Sequence, residues 1–160
     1  MLSASTKEEI GVTETLLIAT DGSIPSQQAV DVGLRLAREC GARVVFVHSS
    51  PETATTLFER NPLTLATLEE VASIDPALRS ALERAAAAGV DAELTVLGEE
   101  GARAVAASIV GTAQGLDATM IVVGARGRGA VTEAVVGSVS RLVMEMSDVP
   151  VVVVHAHKSH

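Results

Sequence analysis

Residues 119–129 read Thr-Met-Ile-Val-Val-Gly-Ala-Arg-Gly-Arg-Gly, an apolar run that ends in a cluster of glycines. A short, continuous apolar run bounded by turn residues is typical of a strand that is buried on both faces. Glycine adopts backbone conformations that other residues avoid, so the cluster marks a tight loop directly after the strand. This stretch therefore predicts a buried strand whose carboxyl end opens into a glycine-rich loop.

Four further segments predict strands, and helical periodicity fills most of the intervals between them. Three are continuous apolar runs, which indicates burial on both faces, and one alternates polar and apolar residues as an edge strand does. In chain order they are residues 15–20, 43–48, 91–97 (the alternating segment) and 150–155. Because helices separate successive strands, we expect a mostly parallel sheet with right-handed crossovers.

Capping residues mark the predicted helices. Ser23 is suited to cap the first helix, Pro25 to stand in its first turn and Gly41 to end it. The later helices are predicted within residues 63–89 (with a break at Asp75-Pro76), 102–114 and 130–147. Residues 49–62 contain two prolines and several threonines, and we predict a loop there.

These elements predict a single-domain, three-layer α/β sandwich. Its five-stranded, mostly parallel sheet would have a Rossmann-like or flavodoxin-like topology with strand order 3-2-1-4-5. The length of 160 residues fits one domain. We place that domain at residues 14–156, between a flexible N-terminal segment (residues 1–13) and a short C-terminal tail (residues 157–160).

Composition argues against several classes of protein. The net charge of −8 disfavours general nucleic-acid binding, and the only aromatic residues, Phe46 and Phe58, are too few for platforms that stack bases or flavins. Residues 119–160 nevertheless carry four basic and three acidic residues, so the glycine-rich segment escapes the acidity of the rest. The single cysteine, Cys40, allows no internal disulfide, which favours a reducing, cytoplasmic location. No signal peptide and no apolar run of about 20 residues is visible, so no membrane partner is expected.

Two strand ends carry the residues that suit an anionic ligand. Ligands of open parallel sheets bind outside the carboxyl ends of the strands, where the winding direction reverses. Gly124 and Gly127 can shape a nest of backbone N–H groups, and Gly137-Ser138 can add a helix N-terminus and a hydroxyl donor. Asp21, after the first strand, can accept hydrogen bonds from ribose hydroxyls. Spacing alone leaves a plain tight turn as an open alternative.

With these residues in view, the chain resembles the ATP-binding branch of the universal stress protein family. That branch carries G-x2-G-x9-G-[ST], and this chain has Gly124, Gly127 and Gly137-Ser138 at that spacing. The segments Ala19-Thr20-Asp21-Gly22-Ser23 and Asp148-Val149-Pro150 are also similar to the family's pattern. The resemblance covers roughly residues 14–156.

The resemblance implies an adenine-nucleotide site and a homodimer. ATP, or ADP or AMP, would bind with Mg²⁺ or Mn²⁺ carried by the nucleotide, and two copies would pair through the last strand (Val151 to Val154). Asp21 would hold the ribose, and backbone near residues 19–20, 49 and 123 would frame the adenine. The implied cofactor-binding residues are Ala19, Thr20, Asp21, Ser49, Val123, Gly124, Arg126, Gly127, Arg128, Gly137, Ser138 and Val139.

Several residues have a second interpretation. Arg126 and Arg128 either clamp phosphates or face solvent or a partner chain. Ser49 and the pair Glu99-Glu100 depart from the family's pattern, and inward-pointing carboxylates would repel phosphate.

The remaining expectations are structural. His48 is expected to be a hydrogen-bonded core or rim histidine, and Cys40 a buried thiol. His155, His157 and His160 are expected to belong to a tail rather than to a metal site.

The favoured function is a regulatory, nucleotide-binding stress-response protein. The chain lacks the G-x-x-x-x-G-K-[ST] loop of P-loop NTPases and the G-x-S-x-G turn of α/β-hydrolases. No general base lies inside the glycine motif, so binding is favoured over catalysis, with a slow ATPase or phosphotransfer enzyme as one alternative. The other alternative is a dimeric interaction module that binds AMP or cyclic AMP.

Overall fold

A computed structural model describes residues 13–60, 66–126 and 136–156. Within these residues, five strands form one sheet in the order β3-β2-β1-β4-β5, and every neighbouring pair is parallel. The strands are β1 (Thr15–Ala19), β2 (Arg43–Ser49), β3 (Ala92–Leu97), β4 (Met120–Gly124) and β5 (Val151–Val154). The predicted α/β fold, strand order and edge position of the alternating strand β3 are confirmed.

Helices cover both faces of the sheet. They are α1 (Ile24–Cys40), α2 (Pro51–Arg60), α3 (Leu68–Ile74), α4 (Pro76–Ala88), α5 (Ala102–Gly115) and α6 (Ser138–Met146). Leu16 and Ile18 of β1 point to the α1 and α4 side, where Leu34 and Leu78 pack. Leu17 points to the other side, where α5 and α6 pack. Because successive strand residues face opposite sides, one apolar run supplies both halves of the core.

The predicted helix ends are confirmed where the structure describes them. Ser23 accepts a hydrogen bond from the Ser26 N–H, and Gly41 and Gly89 end α1 and α4 with φ of 67°. Asp75 separates α3 from α4.

Within the described ranges, no helix combines the length and the apolar character that crossing a membrane requires. The predicted terminal segments lie almost wholly outside those ranges, and their boundaries stay predictions.

Two sequence-based expectations were wrong. The stretch predicted as a loop contains helix α2, because a proline at the first helical position loses no hydrogen bond and Ser50 accepts the Thr53 N–H at 3.2 Å. Cys40, predicted to be buried, is exposed. The apolar stripe of α1 buries residues up to Ala37, and the last turn of the helix extends past the core.

Candidate functional site

The main cleft of the molecule opens at the carboxyl ends of β1, β2 and β4. Its volume is about 570 Å³, which falls in the range of small-molecule sites. The helices that follow β1 and β4, α1 and α6, pack on opposite faces of the sheet. The cleft therefore lies at the point where the winding direction reverses, where parallel sheets bind their ligands.

Most of the residues predicted to bind a ligand line this cleft. Gly127 and Arg128 lie outside the described residues. The others that line it are Ala19, Thr20, Asp21, Ser49, Val123, Gly124, Arg126, Gly137, Ser138 and Val139. Their proximity follows from the sheet order, since β1 lies between β2 and β4. Their role in binding stays a prediction.

Local hydrogen bonds shape the turn that follows β1. The Asp21 Oδ1 atom accepts the Ser23 N–H at 2.9 Å, and Gly22 has a φ of 79°. Beneath them, the buried Ser26 hydroxyl donates to the Ser23 carbonyl at 2.9 Å, accepts the Asp21 N–H at 3.3 Å and lies 3.2 Å from the Thr20 hydroxyl. The carboxylate of Asp21 therefore holds the turn that presents it to the cleft. Sequence reasoning missed Ser26.

Gly124 allows a close backbone contact. A Cβ atom there would lie 2.9 Å from the Pro25 carbonyl carbon and oxygen and from the Ser26 nitrogen. Real Cβ atoms do not approach backbone atoms so closely, so Gly124 lets the start of α1 pack against the end of β4. The sequence had assigned this glycine only to a phosphate nest, and the structure adds this packing role.

The start of α6 supplies hydrogen-bond donors to the cleft. The Gly137 N–H donates to the Ala125 carbonyl at 2.6 Å, so this amide closes the loop and is engaged within the protein. Ser140 donates from its buried hydroxyl to the Gly124 carbonyl at 2.7 Å and fixes α6 against β4. Gly137 provides no side-chain cap. Ser138, the first residue of α6, lines the cleft, and the first amides of a helix have no partner within the helix.

A buried carboxylate lies behind the cleft, between α3 and α4. Asp75 is 1% exposed. Its Oδ2 atom accepts from His48 Nδ1 at 2.8 Å and from the Thr53 hydroxyl at 3.0 Å, while Oδ1 accepts the Leu78 N–H at 3.0 Å. His48, whose side chain is 14% exposed, lines the main cleft and a smaller one of about 330 Å³. Asp75 thus fixes the orientation of a histidine at the wall of the cleft.

Sequence reasoning found only half of this arrangement. His48 was expected to be a hydrogen-bonded rim residue, and the structure places it so. Asp75 was predicted only to break a helix. The Asp-Pro pair was the available signal, because aspartate before a first-turn proline is a strong N-cap. Nothing in the sequence linked it to a histidine 27 residues earlier.

Hydrogen bonds keep Asp75 ionised. Burial by itself raises the pKa of this carboxyl, but the bonds from His48, the Leu78 N–H and Thr53, together with the charge of His48, hold its pKa below the usual value of 3.8. A folded-state pKa below the unfolded-state value stabilises the fold at higher pH. That contribution is lost as the pH falls below 3.8 and through the lowered pKa.

This linkage predicts a difference in acid sensitivity between the protein and its Asp75→Asn variant. The free energy of unfolding of the unchanged protein should fall more steeply below pH 3.8 than that of the variant, which has no carboxylate to protonate at this position. Urea denaturation at several pH values measures both curves. Other carboxylates titrate in both proteins, so only the difference reports on Asp75. Parallel curves would contradict the prediction.

The fold and the cleft define a doubly wound α/β protein with a small-molecule site at its topological switch point. A family model described as the universal stress protein family matches residues 13–155. The chain therefore belongs to the universal stress protein family. Comparison with curated protein sequences gives no significant match.

Several solved structures share the fold over nearly the full length of both chains. A universal stress protein from Archaeoglobus fulgidus is 24% identical, with a TM-score of 0.66, and the match covers 92% of this chain and 98% of that one. A universal stress protein in complex with cAMP is 25% identical, with a TM-score of 0.64, over 91% and 98% of the two chains. An A. fulgidus universal stress protein in complex with dAMP is 24% identical, with a TM-score of 0.62, over 89% and 98%.

Proposed function

We propose that this universal stress protein binds an adenine nucleotide, ATP or a related phosphate form, in the main cleft, and that it acts in the cytoplasm as a regulatory homodimer. The observation that carries the proposal is that three kinds of group line one cleft: an apolar set of side chains, the Asp21 carboxylate and a set of hydrogen-bond donors. A nucleoside phosphate has matching parts: a base, a ribose and phosphates.

The apolar region fits a base. Aliphatic side chains from three strands and from α5 line it, and backbone at the ends of β1 and β2 borders it. They are Ala19, Val47, Val105, Ile109 and Val123. Aliphatic walls exclude water from both faces of a flat base without aromatic stacking. Asp21, at the end of the central strand, would accept hydrogen bonds from the ribose hydroxyls.

The donor region fits phosphates. Arg126 and Ser138 line it, and α6 begins there with its amides and the positive end of its dipole. Gly127 and Arg128 belong to the proposed set through the glycine motif, although they lie outside the described residues. A divalent ion would accompany ATP on its phosphate oxygens and neutralise part of their charge. These residues bind and neutralise the ligand.

The choice among adenine nucleotides is a separate question. The matched universal stress protein in complex with cAMP makes a cyclic nucleotide a second candidate. Isothermal titration calorimetry with ATP, ADP, AMP and cyclic AMP distinguishes the candidates. Mass spectrometry of the ligand released on denaturing the purified protein identifies what it carries. Absence of binding to all four nucleotides would overturn the proposed function.

Ser138→Glu tests the phosphate end without harming the fold. A carboxylate at the start of α6 is favourable for the helix dipole, so thermal stability should be kept or slightly raised. Its charge should repel phosphate and weaken ATP binding at least tenfold, since like charges in contact are costly. Calorimetry measures the affinity, and differential scanning fluorimetry the stability.

Ala107→Glu is the matched control for the added charge. Ala107 is exposed on α5 and does not line the cleft. We expect it to change ATP affinity less than twofold, because a solvated charge outside the site is screened. Equal affinities in the two variants would contradict the placement of phosphate at α6.

The homodimer rests on the edge of the sheet. β5 is an edge strand, and its four valines are each partly exposed. An apolar edge with unpaired backbone groups invites another strand. A second copy that adds its own β5 would cover this edge and continue the sheet.

A further inference from the structure

Glu99 has a buried oxygen atom without a partner. It lies between β3 and α5 and lines the main cleft. Its Oε2 atom is buried and accepts no hydrogen bond; among the described residues it is the one buried side-chain polar atom in this condition. A buried acceptor without a donor is costly, and native structures contain few. Because Glu99 itself lines the cleft, a bound ligand is one source of the donor that this carboxylate lacks.

Hydrogen bonds hold the Glu99 backbone in place. The Ser49 hydroxyl donates to the Glu99 carbonyl at 2.7 Å, and the Ser50 N–H donates to the Leu97 carbonyl at 2.8 Å. Both bonds tie the loop after β3 to the end of β2. The carboxylate is therefore presented from a fixed backbone, which gives it the geometric precision that recognition of a ligand requires.

The sheet order places Glu99 on the β2 side of the cleft, away from Arg126 and α6. The loop that carries it is attached to β2, whereas Arg126 and α6 follow β4 on the other side of β1. Adjacent strands are about 4.8 Å apart, so β2 and β4 are separated by about 10 Å. Charge repulsion disfavours phosphate near a carboxylate, and Asp21, which follows β1, is already proposed to hold the ribose. The group left to meet Glu99 is the base.

We infer that the Glu99 carboxylate selects the base by accepting a hydrogen bond from the exocyclic amino group of adenine. This inference rests on the proposed function, because it assigns one subsite of the same cleft. Ser49 acts through the backbone and positions the carboxylate. Ser49 and Glu99, two of the three residues that depart from the family's pattern, thus form one recognition element. The part of the ligand that Glu99 contacts is the base rather than the phosphate.

The test compares AMP with purine riboside 5′-monophosphate, which lacks only the amino group. The unchanged protein should bind AMP roughly tenfold to a hundredfold more tightly, the range for a hydrogen bond to a charged group. Glu99→Leu should bind the two ligands within about twofold of each other. Loss of the negative charge affects both phosphates equally, so the ratio of the two affinities isolates the contact with the amino group.

Glu99→Gln and thermal stability supply independent readouts. The amide keeps an acceptor oxygen, so this variant should retain part of the preference for AMP. Without ligand, Glu99→Leu should melt at the same or a higher temperature, because it removes a buried acceptor that lacks a partner. These measurements separate recognition of the base from damage to the fold.

The outcomes separate the inference from the proposed function. Failure of the unchanged protein to bind AMP, ADP, ATP or cyclic AMP would overturn the proposed function. Binding of AMP and purine riboside monophosphate with equal affinity, or an unchanged preference in Glu99→Leu, would overturn only the role of Glu99. Tighter binding of GMP than of AMP would overturn the choice of adenine, because guanine presents both an N–H and an amino group to a carboxylate.

Discussion

Replacing Asp75 with alanine should lower the free energy of unfolding by about 3–5 kcal/mol, the range for breaking a buried polar network. The carboxylate receives hydrogen bonds from His48, Thr53 and the Leu78 N–H, and it is 1% exposed. Alanine removes the N-cap of α4 and leaves the buried Thr53 hydroxyl and the partly buried His48 ring without their acceptor. Each loss costs roughly 1–2 kcal/mol, so together they reach the expected range.

Thr67→Ala is the matched control for the loss of a cap. Thr67 begins α3 with a capping box, and its hydrogen bonds with Glu70 are exposed to solvent. Removing it should cost about 1 kcal/mol, because water replaces the lost partners. Urea denaturation of both variants at pH 7 measures the difference. Equal costs would show that Asp75 serves only as a helix cap, and the proposed importance of its bond to His48 would be wrong.

Gly124→Ala should lower the free energy of unfolding by about 3 kcal/mol, the upper part of the usual range for overpacking. The added methyl group would lie 2.9 Å from three backbone atoms of Pro25 and Ser26. Backbone atoms in a capped helix start do not move aside as a flexible side chain does, so α1 must shift away from β4. The shift also opens the turn that holds Asp21, so nucleotide binding should weaken in the same variant.

Gly111→Ala is the opposite case within the same chain. Gly111 is exposed inside α5, and a Cβ atom there would meet nothing within 4 Å. The substitution should raise the free energy of unfolding by roughly 0.5–1 kcal/mol, because alanine loses less backbone entropy in a helix. Thermal and urea denaturation of the two variants give the comparison. If both substitutions changed the free energy of unfolding in the same direction, the close contact assigned to Gly124 would be wrong.

Patterns close together in the chain predicted most of the fold. Apolar runs such as residues 119–123 marked the buried strands, and Ser23, Gly41 and Gly89 marked helix ends, because periodicity and capping act over a few residues. The wrong prediction of a loop at residues 51–60 also came from local preferences alone. Proline and threonine lower helix propensity, but tertiary packing and a serine cap outweigh that preference.

The candidate site was predictable in position but only partly in its contacts. Asp21 and Gly124 follow strands that the topology makes neighbours, so their place at one cleft followed from the strand order. The bonds that shape the cleft join residues far apart in sequence, such as Ser49 with Glu99, 50 residues later. Sequence spacing carries no signal for such a pair, because the distance between them depends on how the strands are arranged.

The sequence by itself determined the class of fold, the strand that leads into residues 124–138 and the end of the sheet where a ligand would bind. Only the tertiary structure decided that Asp75 orients His48, that Gly124 admits the start of α1 and that Glu99 keeps a buried oxygen without a donor. The physical reason is the distance along the chain over which each effect acts. Periodicity and capping are local, whereas burial and close contact depend on which parts of the chain the folded sheet brings together.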